Sequence, residues 1–243
     1  MSRKTSFISK IIFTVLILSG LFAFRKIPVA DSRMISFQAQ PAYVQFFWKD
    51  QNGHILGSLD RLRNHVQQQQ KRKLVFAMNG GMYLEDQSPQ GLYIEHYKIL
   101  KPADSAHKSF GNFYMMPNGI FYITRNNKAV ICKTTDYHSS ADIRFATQSG
   151  PMLVIDGAIH PQFKKGSQNL NIRNGVGILP DQSLVFAMSK EKINFYDFAA
   201  YFQSLGCRQA LYLDGFVSRT YSPQQQWMQL DGNFGVMIGV VMP

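Results

Sequence analysis

The chain has 243 residues, 45% of them hydrophobic and 13% aromatic, enough to bury one sizeable core and too apolar for a disordered protein. Its formal charge of +11 is unevenly placed, with a net +5 in residues 1–33 and +6 in the remainder. So modest an excess, with no basic stripe interleaved with aromatics, argues against nucleic acid and suits an anionic small molecule or polymer.

At the N-terminus Arg3, Lys4 and Lys10 precede an apolar run, Ile11 to Leu18, that resumes after Ser19-Gly20 and ends at Phe24. A basic lead and a 14-residue apolar stretch are the layout of an export signal. The stretch is short of the about 20 residues of a full span. Cleavage after Ala23 or Ala30 would put Leu21 or Pro28 where a small residue belongs, so an uncleaved anchor and a removed signal both remain open. Either way the basic lead stays inside, and the chain beyond the apolar run is expected outside the cytoplasm. Residues 1–33 thus read as signal or anchor plus tether and 34–243 as one domain, touching the membrane only through residues 11–24.

Strand-like sequence begins at Ile35, and Ala42 to Trp48 is an aromatic-rich strand ending in a turn at 49–53. Leu59, Leu62 and Val66 recur at helical spacing behind a Ser58 cap, with Asp60 in the first turn. The run from Gln67 to Lys73 reads as that helix's solvated end. Leu74 to Met78 is a continuous apolar strand that stops at Asn79-Gly80-Gly81, either a plain turn or a place where bare amides meet an oxyanion. From Gly91 the pattern alternates, with Leu92 and Ile94 on one face and Tyr93 and Glu95 on the other. Gly111 to Gly119 and Ile120 to Thr124 read as strand, turn and strand, and Ala129 to Lys133 as another strand.

Gln148, Ser149 and Gly150 stand just before the apolar strand Met152 to Ile155. Arg173 and Asn174 open a strand with glycines at 175 and 177, which signal close packing or a ligand against the backbone. Another buried strand spans Leu184 to Met188. A second helix starts from an Asn194 cap, with Asp197 three residues on, an apolar face of Phe195, Phe198, Ala199, Phe202 and Leu205, and Gly206 as its stop. It leads into Leu211-Tyr212-Leu213, a buried strand that ends abruptly at Asp214-Gly215. Asp-Gly is a common turn dipeptide, and a carboxylate on a strand end is also how a rigid sheet holds charge at a pocket. Phe234 to Met242, apolar on both faces, reads as a central strand.

The two cysteines, Cys132 and Cys207, make no zinc-type spacing and can pair or stay thiols. The histidines at 54, 65, 96, 107, 138 and 160 are scattered. Asp156, Asp181 and Asp231 read as turn residues.

Taken in order, Asn79-Gly-Gly-Met-Tyr83, Gly91-Leu-Tyr-Ile-Glu95, Gly111-Asn-Phe113, Gln148-Ser-Gly-Pro-Met-Leu-Val154, Arg173-Asn-Gly-Val-Gly177, Leu211-Tyr-Leu-Asp-Gly215 and Met237-Ile-Gly-Val240 resemble the phosphodiester glycosidase domain family. The resemblance covers residues 35 to 243. It implies a hydrolase that cleaves between a sugar's anomeric carbon and a phosphodiester, on an anionic glycosyl-phosphate substrate. On that basis Asp214 is expected as nucleophile or base, Glu95 as a second carboxylate and Arg173 as a clamp on phosphate. Asn79, Gly80, Gly81, Gln148, Ser149, Gly150, Asn174, Gly215 and Ser218 are expected to contact substrate. No cofactor is certain, and a divalent metal is left open. Many members carry a glycine-rich stretch after the aspartate, whereas Phe216 and Val217 come after Gly215 here. Two other classes stand beside the enzyme: a non-catalytic module that binds glycosyl-phosphate or cell-wall polymers, and an envelope scaffold. Only an enzyme needs Asp214, Arg173 and Asn79 within one ligand's reach. The strands and two helices predict an α+β domain with a mixed, largely antiparallel sheet.

Overall fold

A computed structural model describes residues 31–106, 111–214 and 217–243, so the export-signal run 11–24 and Gly215 lie outside the described residues. The first half carries strands β1 (Met34–Ala39) and β2 (Val44–Phe47), helix α1 (Leu59–Gln68), then β3 (Lys73–Asn79), β4 (Tyr93–Glu95) and β5 (Lys98–Lys101). The middle is all strand: β6 (Gly119–Thr124), β7 (Ala129–Lys133), β8 (Ile143–Ser149), β9 (Met152–Ile155) and β10 (Ala158–Ile159). The last part holds β11 (Asn174–Ile178), β12 (Leu184–Ser189), helix α2 (Phe195–Ser204), β13 (Ala210–Asp214), β14 (Thr220–Ser222), β15 (Trp227–Met228) and β16 (Met237–Met242).

These strands form three antiparallel sheets, in the orders β1-β12-β11-β13-β9-β10, β15-β14-β3-β16-β2 and β5-β4-β8-β6-β7. The α+β expectation holds, with the strand content divided among three sheets instead of gathered in one. What joins them is a shared aromatic core. Phe37 stacks on Phe76 at 4.8 Å, Phe76 on Phe186 at 5.6 Å, and Phe46 on Phe145 at 5.5 Å, while Phe121 touches both Phe46 and Phe186. Each buried ring contributes about 2 to 3 kcal/mol of transfer free energy, so this cluster binds strands of all three sheets into one unit.

Both helices begin where their caps predict. Ser58 Oγ accepts from Arg61 N at 3.3 Å, and Asn194 Oδ1 accepts from Asp197 N at 2.9 Å while its amide donates to the Asp197 carboxylate. α2 lies on the outer face of the first sheet, and there the glycines of β11 find their reason. A Cβ on Gly177 would stand 2.7 Å from Cys207 Sγ and 2.8 Å from Phe202, and one on Gly175 would stand 2.8 Å from Leu211 O. Close packing, not a ligand, fixes those two positions.

Two local expectations are corrected. Pro41–Tyr43 is a 3-10 turn and the strand begins only at Val44, because proline suits the first position of a turn and cannot donate to a ladder. Asn112–Tyr114 is also a 3-10 turn, entered through Gly111 at φ +95°, a conformation that leaves no extended strand there. Cys132 and Cys207 are free thiols. Among the described residues no helix is long and apolar enough to cross a membrane.

Candidate functional site

The three sheets bring strand ends together at one corner. β13 ends there at Asp214, β3 at Asn79 and β8 at Ser149, while β11 starts there at Asn174, which pairs with Asp214 across the ladder. A chain of buried hydrogen bonds ties these ends to one another. Asp214 N donates to Asn174 Oδ1 at 2.9 Å, and Asn174 Nδ2 donates to both Asn79 O and Asn79 Oδ1 at 2.9 Å. Arg219 N adds a second donor to Asn79 Oδ1 at 3.0 Å. Ser218 Oγ donates to Asp214 O at 2.7 Å, fixing the chain just beyond the aspartate.

This network determines how Asn79 faces. With two donors on Oδ1 its carbonyl oxygen is locked inward, and its amide nitrogen is buried without a hydrogen-bond partner among the described residues. An orphaned buried donor costs about 1 to 3 kcal/mol. The Asp214 side chain stands near two phenols. Burial first and the Asp214 carboxylate second push Tyr83 up to about 12, and the same pair of causes holds Tyr212 well above the ordinary phenol value, with Arg173 opposing. Both hydroxyls therefore keep their protons at neutral pH.

Arg173 lies behind Tyr212 and is 0% exposed. Its Nε donates to Ile193 O at 2.8 Å, Nη2 to Asn169 O at 2.9 Å and Oδ1 at 3.2 Å, and Nη1 reaches Tyr212 OH at 3.4 Å. The guanidinium sits 3.5 Å from the Phe195 ring centroid. Among the described residues no carboxylate pairs with it. Burial lowers its pKa, yet an arginine stays charged. The expected clamp is not what the geometry shows: the fork is spent on neutral oxygens of the protein, and it lies behind Tyr212 with Nη1 on the phenol oxygen.

Other expected contacts have structural work of their own. Gln148 Oε1 accepts from Leu92 N and Asp104 N, and its Nε2 donates to Asp104 O and Thr134 Oγ1, which saturates the amide. Ser149 Oγ donates to Leu213 O at 2.6 Å, and a Cβ on Gly150 would stand 2.6 Å from Asn118 Cβ. Residues 148–150 are thus a clasp between sheets. Gly80 N donates to Val236 O at 2.8 Å, so it is not a bare amide, and a Cβ on Gly80 or Gly81 would collide with Ile238 or Thr147. Close approach of the 80–83 loop requires these glycines.

Glu95 is not brought to the corner. β4 pairs Ile94 with Ala146, which puts Glu95 about four residues back along β8 from Ser149, roughly 13 Å at strand rise. There it accepts from Tyr93 OH at 2.6 Å, and burial raises its pKa to about 7. The corner also holds residues that gave no functional signal in the sequence: Tyr83, Tyr212 and Arg219. Tyr212 was within reach, since period-two alternation puts it on the face of Asp214. Tyr83 closes the Asn79-Gly-Gly-Met-Tyr83 motif without an expected role, and Arg219 offered no signal. Among the described residues no group of three or more His, Cys, Asp or Glu side chains could hold a metal ion.

The comparisons bear on this corner directly. A family model described as phosphodiester glycosidase matches residues 72–236, a span that includes Asn79, Tyr83, Arg173, Asn174, Tyr212 and Asp214. The uncharacterized protein YigE of Escherichia coli (strain K12) is 37% identical over 195 residues, covering 80% of this chain and 75% of its own. Among solved structures, the catalytic domain of zebrafish N-acetylglucosamine-1-phosphodiester alpha-N-acetylglucosaminidase, auto-inhibited by its pro-peptide, superposes with a TM-score of 0.60 at 12% identity. That match covers 88% of this chain and 85% of the zebrafish domain. A protein from Burkholderia pseudomallei K96243, described as exported, gives a TM-score of 0.52 at 10% identity over 86% of this chain and 74% of its own. At such identities the structures share the fold alone, and it is the family model, spanning most of the chain and the whole corner, that places it: the chain belongs to the phosphodiester glycosidase family.

Proposed function

We propose that the protein is an extracytoplasmic hydrolase that cleaves the bond between a sugar's anomeric carbon and a phosphodiester oxygen, releasing free sugar and a phosphomonoester. Family membership supports the reaction class, and the basic-apolar N-terminus supports the location. The observation that carries the reading is the convergence of Asp214 with Asn79, Asn174, Tyr83, Tyr212 and the buried charge of Arg173.

Such a corner suits a leaving group that is already a weak base. As the C1–O bond breaks, its electron pair stays on the phosphate oxygen, which needs positive potential more than a proton. Arg173 supplies that potential through Tyr212, and the free amide of Asn79 supplies a hydrogen bond. Asp214 faces the oxocarbenium-like carbon. It either takes the proton of the attacking water or bonds to C1 first and is displaced by water, and in both routes water's oxygen ends on the sugar.

The test is sugar release from the ethyl 1-phosphodiesters of N-acetylglucosamine, glucose, galactose and mannose, by the protein and by its Asp214→Asn variant. Release that falls by more than about 100-fold in the variant, at an unchanged unfolding midpoint, supports the reading. Full turnover by the variant removes Asp214 from the chemistry. Binding of the same diesters in calorimetry without release by the wild type would make the corner a recognition site.

A further inference from the structure

The chain enters the fold beside its own candidate site. Lys190 N donates to Arg33 O at 2.7 Å and Ser189 N to Arg173 O at 2.8 Å, so two backbone bonds separate the entering turn from the buried guanidinium. Upstream, residues 25–33 span at most about 30 Å even fully extended, and before them comes the apolar run 11–24. If that run stays in the membrane, the corner cannot stand far from the lipid surface.

The loops over the same corner are built for such a surface. Asn169 receives the Arg173 fork, and the next residue, Leu170, is 42% exposed. Phe163 stacks on Phe195, the ring beneath that fork, and the two residues after it, Lys164 and Lys165, are exposed. Lys190 and Lys192 are exposed just before Ile193, whose carbonyl receives Arg173 Nε. Leu84, next in sequence to Tyr83, is 43% exposed. Among the described residues Arg33 pairs with Asp31 and feels Asp197 and Glu191, and none of the four lysines is in an ion pair. Apolar tips amid surplus cations are what an anionic headgroup layer attracts.

We infer that the corner opens onto the membrane, and that its substrate is a glycosyl phosphodiester whose aglycone is a lipid held in that membrane. The inference rests on the glycosidase reading and deepens it. The sugar and phosphate enter the corner while the lipid stays in the bilayer, with Leu170 and the 164–165 and 190–192 lysines against the headgroups.

The experiment uses the full chain reconstituted in phosphatidylglycerol-containing vesicles. Each sugar of the panel is offered as its water-soluble ethyl 1-phosphodiester and as the hexadecyl 1-phosphodiester in the same vesicles. The expected result is at least tenfold faster release from the hexadecyl diester. Leu170→Glu, and separately Lys164→Glu with Lys165→Glu, should remove most of that advantage while leaving ethyl diester release unchanged, an internal control for folding. Equal rates on the two diesters, or variants that slow both alike, overturn the inference and leave the glycosidase reading standing. Release from neither diester sinks that reading, and the lipid substrate with it.

Discussion

Replacing Asn174 by alanine removes the centre of the polar chain and leaves the rest of β11 untouched. The side chain makes three buried bonds of 2.9 Å: one from Asp214 N, and one each to Asn79 O and Oδ1. The site is 0% exposed, so water does not replace them. At about 1 kcal/mol per lost bond, more where a group is left unsatisfied, the variant should lose about 3 to 5 kcal/mol. For a domain of this size that lowers the melting temperature by roughly 6 to 20 °C. Urea unfolding of wild type, Asn174→Ala and Ser218→Ala, compared at one m value, measures it. Ser218→Ala removes one hydroxyl, which donates to Asp214 O at 2.7 Å and reaches Ile172 O at 3.4 Å, and should cost about 1 kcal/mol. Asn174→Ala should therefore lose several times as much. If the two variants lose alike, Asn174 is not the tie between the sheets, and the placement of Asp214 against Asn79 needs another cause.

Three further outcomes are expected. Tyr83→Phe should leave stability unchanged and reduce sugar release by about tenfold or more, since it removes a protonated hydroxyl near Asp214; equal kcat values would exclude that hydroxyl from the reaction. Gly177→Ala drives a methyl toward Cys207 and Phe202 and should cost about 1 to 3 kcal/mol in thermal unfolding, with α2 displaced; an unshifted midpoint would show that this packing yields. Glu95 titrates at about 7 in the folded chain, above its unfolded value near 4, so the fold holds its proton more tightly. The stability tied to that proton is full below about pH 4 and is lost as pH rises through about 7, up to about 3 kcal/mol. Urea midpoints of wild type and Glu95→Gln should diverge between pH 5 and 8, and parallel pH profiles would refute the linkage.

Much of the fold was legible because its elements carry strong local signals. Continuous apolar runs at Leu74, Leu184 and Leu211 became β3, β12 and β13, and the Ser58 and Asn194 caps placed both helices. β5, β14 and β15 escaped because they are short, and Lys98–Lys101 is largely exposed and shows no alternation to read. The strand-end residues Asn79, Asn174 and Asp214, which the structure brings together, were each visible in one dimension as a polar residue at the end of an apolar strand. Which of those polar ends share a corner was not. Gln148 is spent on Leu92, Asp104 and Thr134, and the pairing of β4 with β8 carries Glu95 away from the corner. Long-range pairing decides function here.

Two features of the corner oppose folding in isolation: a buried amide on Asn79 without an acceptor, and a buried guanidinium on Arg173 without a counter-ion, both among the described residues. Each costs free energy that an apolar replacement would avoid. On the proposed reading they suit one kind of guest, an anion with acceptor oxygens held beside the Asp214 carboxylate. A single carboxylate meeting fixed positive charge differs from the paired carboxylates of ordinary glycoside hydrolysis, in which one acid protonates an alkoxide. A phosphate leaving group removes the need for that acid. On the proposed reading, the distance of Glu95 from the corner fits the reaction, and the buried charge of Arg173 takes the place of a proton donor.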